Sequence, residues 1–385
     1  MKGNEIESLK IFNEKKIKKL ATERNRWLYN GEDIVTDLDY KTNDLAKKMN
    51  PVKIIALVKE VIEENDKFKT IVLNNIKELE LPNFRAGQKI ALTITIDDKE
   101  YTRPFSLSSS PNRGLNGEYA ITFSNTEEDM VVDYLYNYVQ EGDKVLVSNP
   151  FGEFYYEPLR DEKNVIAIVS SDGIVPIYSM AQSIAEGTDD YKLTILYSEK
   201  NEKNFIFKNK LLEINETSNK VKVLFILSEE KKEGYLSGFA SLDKIKKYYD
   251  EGNTSFFIAG SEGLLKYLDN ELKSLKLPKK FIRYDNFLPR CNIKKVVIYK
   301  LSLFIGSEKY ELPCYNNKTI MRAIEESGIH IPIMCQNGSC GFCRSELIKG
   351  DVKIVNDKRT MAEKNYNFIH PCSTYPKSDI EIIVR

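Results

Sequence analysis

Apolar and polar residues alternate in a series of short segments between residues 51 and 160 of the chain. The segments are rich in β-branched and aromatic residues and cover residues 53–62, 68–73, 89–96 and 119–123. Short strands at such close spacing predict an antiparallel β-barrel. Within this region, Leu135 and Val139 are spaced for burial on one side of a short helix that begins near Asp129.

Near residue 161 the pattern changes to apolar runs that alternate with helical segments. The runs cover residues 165–169, 192–197, 222–227 and 256–259, and a helix is expected at residues 177–184. This alternation predicts a doubly wound α/β domain with a parallel sheet. Ligands of such sheets bind at the carboxyl ends of the strands.

The C-terminal region, residues 291–385, has a mixed pattern. It begins with two strand-like runs at residues 295–299 and 301–305, continues with a helix from Thr319, and closes with a strand at residues 380–384. In the first fifty residues, apolar positions at helical intervals predict one amphipathic helix. That helix either packs on its own chain or docks a partner protein. Four segments are therefore expected, with bounds 1–50, 51–160, 161–290 and 291–385.

Composition narrows the class of protein. The 385 residues include 57 Lys and Arg and 57 Asp and Glu, which argues against nucleic acid or an anionic membrane as a global partner. The longest apolar runs have the length of strands and are too short to span a membrane. No apolar segment of the kind found in signal peptides follows the first lysine, so we expect a cytoplasmic protein.

The strongest chemical signal is a set of four cysteines near the C-terminus. Successive members are separated by four, two and 28 residues: Cys335, Cys340, Cys343 and Cys372. Plant-type ferredoxins hold a 2Fe-2S cluster with this kind of spacing, in which each iron takes two thiolates. The alternatives are a zinc site, disulfides or scattered buried cysteines. Zinc sites usually contain two paired Cys or His elements, and Cys372 has no such neighbour.

The residues around the cysteines fit a cluster loop. Gly338 and Gly341 suit a backbone that wraps closely around an inorganic core, because glycine reaches positive φ without steric cost. The other two cysteines, Cys291 and Cys314, fit reduced thiols better than a disulfide framework.

A second candidate site lies in the predicted barrel. Arg103, Phe105 and Ser106 can together clamp a phosphate, cover a flat ring and hydrogen-bond to it. The helix that begins near Asp129 offers free backbone N–H groups to the same phosphate. Arg and Ser are also common at ordinary strand edges, which is the alternative.

A third candidate site follows the first run of the α/β region. The turn from Ser170 to Pro176 contains Gly173, which would let a dinucleotide approach the backbone, and a helix N-terminus follows it. Residues 197–200 and 259–262 end neighbouring strands and would line the same crevice. An ordinary strand-to-helix turn is the alternative here.

Together these motifs resemble the ferredoxin-NADP reductase superfamily, in the subgroup where a plant-type ferredoxin follows the reductase. The resemblance covers about residues 51–385. It implies a flavin-binding β-barrel at 51–160, an NAD(P)-binding α/β domain at 161–290 and an α+β, β-grasp 2Fe-2S domain at 291–385. The segment 1–50 stays a separate N-terminal helical extension.

The resemblance also implies roles for particular residues. Arg103 would bind the flavin phosphate, and Ser106 would lie near the reactive flavin N5. Ser106 and Asp285, the latter in an Asp-Asn-Phe that replaces the usual Glu-x-Phe, are the implied catalytic residues. The implied cofactor-binding residues are Arg103, Pro104, Phe105, Ser106, Val131, Val132, Gly173, Pro176, Lys200 and Gly260.

Several further residues depart from the pattern of the superfamily. Val131 and Val132 stand where a serine usually meets the flavin phosphate, which leaves that task to backbone N–H groups. Asp172 replaces a small residue in the nicotinamide turn. Ala259 replaces the cysteine of the usual Cys-Gly-Pro.

The expected function is electron transfer from NAD(P)H through a flavin and the 2Fe-2S cluster to a partner redox protein. FAD is preferred, with FMN as the alternative. Lys200 could meet a 2′-phosphate, but Glu199 beside it would repel one, so NADH is preferred and NADPH is the alternative. The candidate acceptors are an oxygenase component, a hybrid-cluster protein, a flavodoxin or a corrinoid protein. The departures at Asp172 and Ala259 keep a second hypothesis open, a non-catalytic or regulatory electron-wiring subunit with poor nicotinamide turnover.

Overall fold

A computed structural model describes most of the chain after residue 52. The described residues are Lys19, Thr22, 53–76, 81–125, 129–285, 293 and 295–384. The chain divides into two compact units, Met1–Pro51 and Val52–Arg385. Apart from Lys19 and Thr22, which are helical, the predicted N-terminal helix lies outside the described residues.

The first sheet is antiparallel throughout and has the strand order β4-β3-β6-β1-β2-β5. Its strands are β1 Ile54–Glu63, β2 Phe68–Asn75, β3 Lys89–Ile96, β4 Lys99–Ser106, β5 Glu118–Ser124 and β6 Lys144–Val147. A bridge between Leu107 and Ile121 joins the end of β4 to β5 and so closes the sheet into a barrel. The predicted antiparallel barrel is confirmed.

Two helices belong to this barrel, α1 Pro111–Leu115 and α2 Met130–Asn137. Helix α2 begins where the sequence predicts, because the Asp129 side chain accepts a hydrogen bond from the Val131 N–H and caps the helix. Val131 and Leu135 then face inward and are fully buried in the barrel core.

The second sheet is parallel, with the order β10-β9-β8-β7-β11-β12. Its strands are β7 Asn164–Ser170, β8 Lys192–Glu199, β9 Val221–Leu227, β10 Leu236–Ser237, β11 Thr254–Ala259 and β12 Ile282–Tyr284. Its helices are α3 Ile174–Ala185, α4 Lys208–Thr217, α5 Leu242–Lys246 and α6 Glu262–Leu272. None of the helices in the described ranges is long and apolar enough to cross a bilayer.

Strand β7 explains the uninterrupted apolar runs of this region. Val165, Ala167 and Val169 pack into one core, whereas Ile166 and Ile168 pack into the core on the other face of the sheet. Both faces are covered, as the doubly wound prediction requires. Helix α3 begins at Ile174, earlier than predicted, since a proline in the first helical turn needs no N–H acceptor.

The third sheet is mixed, with the order β14-β13-β19-β15-β17, and only the β13–β19 pair is parallel. A two-stranded ladder pairs β16 with β18. The elements are β13 Ile298–Ile305, β14 Glu308–Tyr315, α7 Ile320–Glu326, β15 Ser345–Lys349, β16 Val352–Ile354, α8 Met361–Asn365, β17 Phe368–Ile369, β18 Thr374–Pro376 and β19 Ile380–Val384.

One prediction for this region is wrong. The two separate runs predicted at 295–299 and 301–305 form a single strand, β13, which pairs with β14 in a hairpin. Strand β14 was not predicted, because Pro313 within it argues against a strand. Tyr310, Leu312 and Cys314 nevertheless alternate toward the core, and β14 tolerates the proline as an edge strand of the sheet. Helix α7 packs its apolar side into the core of this sheet, which gives the predicted α+β arrangement.

Candidate functional site

The four predicted cluster cysteines lie close together. Cys335, Cys340 and Cys343 belong to one loop between α7 and β15, and Cys372 lies in the 3-10 turn Pro371–Ser373. The Sγ atoms of Cys343 and Cys372 are 3.4 Å apart, and the Cys340 N–H points at Cys335 Sγ from 3.4 Å. Three of the thiols are only 3–4% exposed, and Cys340 is half-buried. The structure therefore gathers thiols from distant parts of the sequence into one shielded group.

The loop geometry accounts for the glycines within it. Gly338 and Gly341 have φ of +75° and +74°, which confirms the expected positive φ. A Cβ on Gly338 would lie 2.5 Å from Ser373 Oγ, so the loop packs directly on the turn that carries Cys372. Among the described residues no three of His, Cys, Asp or Glu surround a single-ion site. A two-iron cluster does not need such a site, because each iron takes two thiolates.

A cavity of about 630 Å³, here called the barrel cavity, lies beside these thiols. Its size is within the range of small-molecule sites. Residues of the barrel, of the turn and helix after β7, and of the α7 and cysteine-loop region line it, among them Lys89, Arg103, Pro104, Phe105, Ser106, Asp129, Val132, Asp172, Val175, Arg322, Glu325, Cys335, Gln336 and Cys372. A ligand there would touch the barrel, the turn after β7 and the cysteine loop at once.

Arg103, the predicted phosphate ligand, is 4% exposed and paired with two carboxylates. Its Nε lies 2.6 Å from Asp129 Oδ2 and its Nη1 lies 2.9 Å from Glu325 Oε1. Burial lowers the pKa of Arg103, but the charges of Glu325 and Asp129 outweigh this and raise it overall. Burial alone would raise the pKa of Asp129, yet Arg103 holds it below the ordinary value. A phosphate bound at Arg103 would exchange with one of these carboxylates.

The predicted role of the Val131 and Val132 backbone needs correction at one residue. The Val131 N–H already donates to Asp129 Oδ1 at 3.0 Å, and its side chain is core. Val132 does line the barrel cavity. Phe105 also lines it, although its ring is largely buried and packs 5.3 Å from the ring of Phe123.

The two predicted catalytic residues meet at one lysine. Ser106 lies opposite Lys89 in the β3–β4 ladder, and Lys89 Nζ forms an ion pair with Asp285 Oδ1 at 2.6 Å. Asp285 is buried, and its Oδ2 accepts no hydrogen bond from the described residues. Phe287 of the Asp-Asn-Phe motif lies outside the described residues.

Asp172, one of the departures from the superfamily pattern, faces this group. Burial first, and then the charge of Asp285, raises the pKa of Asp172 to about 6, while Lys89 acts in the opposite direction. On this side Lys89 and the half-buried Asp172 line the barrel cavity, and the buried Asp285 is paired with Lys89.

A second cavity of about 650 Å³, here called the sheet-end cavity, lies at the carboxyl ends of β7 and β8. Ser171, Glu199 and Lys200 line it. Glu199 Oε1 accepts the Ser171 N–H at 2.6 Å, and burial, with a contribution from Asp172, raises the pKa of Glu199 to about 7. Lys200 Nζ is held by Glu229 Oε1 at 2.9 Å.

The other predicted nicotinamide residues lie outside the lining of that cavity. Of the described residues that line it, none is Gly173, Pro176 or Gly260. A Cβ on Gly173 would lie 2.3 Å from the Ala259 carbonyl oxygen, so glycine is required there by close packing between two turns. This is a different reason from the predicted approach of a dinucleotide to the backbone.

Sequence reasoning missed the partners that hold the site together. Asp129 was recognised as a helix start but not as a partner of Arg103, although a buried guanidinium needs a carboxylate. Glu325 and Gln336 were missed altogether. Gln336 Nε2 donates to the Thr102 carbonyl oxygen at 2.6 Å across 234 residues of sequence, and no local pattern signals such a contact.

Comparison with known protein families assigns two parts of the chain to known domains. Residues 303–377 match the 2Fe-2S iron-sulfur cluster binding domain, and residues 171–270 match the oxidoreductase NAD-binding domain. The first match spans Cys335, Cys340, Cys343 and Cys372. The second begins at the turn after β7 and runs into helix α6.

Three similar proteins cover most of the chain. NADH oxidoreductase HCR of Escherichia coli is 21% identical over 298 residues, which is 77% of this chain and 88% of that protein. The glycine betaine monooxygenase reductase subunit of Chromohalobacter salexigens is 23% identical over 326 residues, 78% of this chain and 87% of that protein. The solved structure of phthalate dioxygenase reductase has a TM-score of 0.63 and 20% identity, with coverage of 86% of this chain and 97% of its own.

The fold and the two domain matches together define an oxidoreductase with a nicotinamide-binding domain and a 2Fe-2S domain. The chain therefore contains a 2Fe-2S iron-sulfur cluster binding domain behind an oxidoreductase NAD-binding domain, and its fold is similar to that of phthalate dioxygenase reductase.

Proposed function

We propose that the chain passes electrons from NADH through FAD and the 2Fe-2S cluster to a partner redox protein. The observation that carries the proposal is the barrel cavity, where Arg103 to Ser106 form one wall and Cys335 and Cys372 another. A flavin bound there would lie between the nucleotide-binding turn and the cluster thiols. When bound, a flavin supplies the conversion between a two-electron hydride donor and a one-electron acceptor.

The protein residues have separable tasks in this proposal. Arg103 binds the flavin phosphate, and Ser106 and Asp285 flank the reacting end of the ring near Lys89. Pro104, Phe105 and Val132 complete the apolar part of the cavity wall. Cys335, Cys340, Cys343 and Cys372 hold the cluster. The proposed domain bounds are those of the sequence, with the flavin-binding barrel at 51–160, the NAD-binding domain at 161–290 and the 2Fe-2S domain at 291–385.

The sheet-end cavity favours NADH over NADPH. Glu199 presents a carboxylate at the end of β8, the position at which an acidic residue bonds to the ribose 2′-hydroxyl of NAD and repels a 2′-phosphate. Lys200, the cation nearest in sequence, is already paired with Glu229. Gly173, Pro176 and Gly260 lie outside the lining of this cavity, and Gly173 allows the close packing of the turns.

For the acceptor we propose an oxygenase component or a comparable redox protein such as a hybrid-cluster protein, a flavodoxin or a corrinoid protein. The names of two similar proteins support this proposal: one is an NADH oxidoreductase, and the other is the reductase subunit of a monooxygenase. Cys340 is the least buried of the four thiols, so electrons would leave on its side of the loop.

The test is anaerobic rapid mixing of the flavin- and cluster-loaded protein with NADH. We expect the flavin absorbance to bleach first and the cluster absorbance to follow, with NADPH at least tenfold less effective in the parallel experiment. Bleaching of the flavin without any later reduction of the cluster would contradict the proposed path. Equal rates with both nucleotides would contradict the assignment to NADH.

One observation favours a second candidate, an electron-wiring subunit with poor nicotinamide turnover. Asp172 places a half-buried carboxyl group in the lining of the barrel cavity, at a position where the superfamily pattern has a small residue. Ala259 gives the neighbouring turn no thiol. Steady-state NADH oxidation with an artificial acceptor separates the candidates, because turnover near background would favour the wiring subunit.

A further inference from the structure

Two side chains of the 2Fe-2S domain reach across to one point on strand β4. Gln336 Nε2 donates to the Thr102 carbonyl oxygen at 2.6 Å, and Glu325 Oε1 accepts from Arg103 Nη1 at 2.9 Å. Thr102 and Arg103 directly precede Pro104, which belongs to the wall of the barrel cavity where the flavin is proposed to bind. The contact therefore joins the cysteine loop to the strand that carries the flavin residues.

The contact is buried from solvent, and both lone pairs of its acceptor oxygen are occupied. The Thr102 carbonyl oxygen also accepts from Arg103 Nη1 at 2.7 Å, so two donors occupy its two lone pairs. Gln336 is 7% exposed and Arg103 is 4% exposed. Removing a donor from such a buried group leaves the carbonyl with an unsatisfied lone pair, which is more costly than losing a surface hydrogen bond.

Gln336 follows Cys335 directly, and its backbone is in the left-handed region with φ of +52°. Residues other than glycine adopt this conformation rarely, and such strain is kept only where the surroundings enforce it. The backbone that presents Cys335 to the barrel cavity is thus fixed by the same residue whose side chain holds β4. A shift of Gln336 would move a cluster thiol relative to the flavin wall.

We propose that Gln336, supported by Glu325, docks the cluster loop on Thr102 and Arg103 and so positions the cluster for electron transfer from the flavin. Both are positioning residues, since they act through Cys335 and Arg103. The inference rests on the proposed function, because it concerns the flavin-to-cluster step of that path. Electron transfer falls steeply with distance, so loss of the dock should slow this step while leaving hydride transfer unchanged.

The test compares Gln336→Glu and Gln336→Met with the wild type. Gln336→Glu sets a carboxylate against the Thr102 carbonyl, and Gln336→Met keeps the volume without a donor. Asn365→Asp, the same amide-to-carboxylate change at an exposed position of α8, is the matched control. In the loaded protein, NADH should bleach the flavin at the wild-type rate in all variants. Cluster reduction should slow about tenfold or more in both Gln336 variants and stay normal in the control.

Two further measurements separate positioning from a structural role. The electron paramagnetic resonance spectrum of the dithionite-reduced cluster and the flavin content should match the wild type in both Gln336 variants. The flavin should also be reduced by light with a sacrificial donor, so that the flavin-to-cluster step is observed without nicotinamide. If NADH failed to reduce the wild type, the proposed function would be contradicted. The effect of the Gln336 contact on electron transfer from flavin to cluster could still be measured.

Wild-type rates of cluster reduction in both Gln336 variants would overturn the proposal. A parallel fall of flavin bleaching and cluster reduction would overturn it too, because it would indicate a general disturbance. If both variants lost the cluster, Gln336 would be a structural residue of the loop and the proposal would likewise be wrong.

Discussion

The two cavities have nearly equal volumes, about 630 and 650 Å³, yet they are built in different ways. The sheet-end cavity is lined largely by turns that follow strands of one parallel sheet, together with the β1–β2 turn. The barrel cavity takes its walls from the barrel, the turn and helix after β7, and the α7 and cysteine-loop region, and its charged residues are paired across long stretches of sequence. Local turns form the sheet-end cavity, whereas contacts between residues that are distant in sequence form the barrel cavity.

The charged residues of the two cavities also differ in how deeply they are buried. In the barrel cavity Arg103 and Asp285 are almost completely buried, so each depends on its partners. In the sheet-end cavity the Lys200–Glu229 pair is more than half exposed and contributes little to stability. Changes at the barrel cavity should therefore affect cofactor retention and folding, and changes at the sheet-end cavity should affect the choice of nucleotide.

The largest effect is expected from Cys372→Ser. In the proposed ligand set Cys372 is the one thiolate from outside the 335–343 loop, so its loss would leave one iron with a single protein ligand. We expect loss of the cluster, measured as iron per chain and by electron paramagnetic resonance, while NADH still bleaches the flavin. Cys314→Ser, a buried cysteine outside the site, is the control and should keep its iron. Retention of a normal cluster in Cys372→Ser would contradict the ligand assignment.

Arg103→Gln should have the next largest effect. Removing the guanidinium leaves Asp129 and Glu325 as buried carboxylates without their partner, at a cost of about 3–5 kcal/mol in the free energy of unfolding. Urea unfolding measures this cost, and flavin content should fall in the same variant. Arg113→Gln, which breaks a half-exposed pair with Glu118, should change stability by less than about 1 kcal/mol. Similar losses in both variants would show that the barrel cavity is not the special case described above.

Asp172→Asn should change how stability depends on pH. The pKa of Asp172 is raised from 3.8 to about 6, so the folded state binds this proton more tightly than the unfolded state. Stability should therefore fall as the pH rises from about 4 to 6, and the ionised group costs about 2–3 kcal/mol above that window. In Asp172→Asn this contribution to the fall should disappear and stability at pH 7 should rise, while the contribution of Glu199, whose pKa is also raised, should remain.

Unfolding at a series of pH values checks this prediction, with Asp269→Asn at an exposed position of α6 as the control. An unchanged slope in Asp172→Asn would mean that its carboxyl group is not buried as described. Faster flavin reduction by NADH in the same variant would connect this residue to the slow hydride step of the second candidate function.

The smallest effect is expected at the sheet-end cavity. Glu229→Gln releases Lys200 from its ion pair, so Lys200 can approach a 2′-phosphate. Because the pair is exposed, the ratio of kcat/KM for NADPH to that for NADH should rise only about threefold, without a change in stability. Glu230→Gln beside it is the control. A larger gain in Glu229→Gln than in Glu199→Gln would reverse the order of importance assigned to these carboxylates.

The contrast between the two cavities also explains which parts of the fold and of the site can be predicted from the sequence. The strands of the barrel and of the parallel sheet follow from alternation and from apolar runs such as Val165 to Val169, because burial on one or both faces imposes those patterns. The cluster ligands follow from spacing, since three of them share one loop. The edge strand β14, which contains Pro313, was missed despite its alternation.

The remaining features depend on contacts that sequence spacing does not encode. Arg103 was recognised by its neighbours, yet its pairing with Glu325 arises only when the third sheet lies against the barrel. Gly173 was recognised correctly as a special position, but the reason, contact with the Ala259 backbone, appears only when β7 and β11 are adjacent. The N–H of Val131 was expected to be free for phosphate, and its use by Asp129 was decided by the cap of α2.

The residues after β4 have a consequence for building chimeric reductases. The carbonyl oxygens of Ser108 and Ser109 accept from Gln182 and Ser179 of α3, and Ser110 donates to Glu186. These bonds tie the barrel to the parallel sheet, so a recombination point between those two modules would cut through shared hydrogen bonds. A junction between Asp285 and Ile298 avoids them. A foreign 2Fe-2S module inserted there should carry a donor directly after its first cluster cysteine, to meet the oxygen of Thr102.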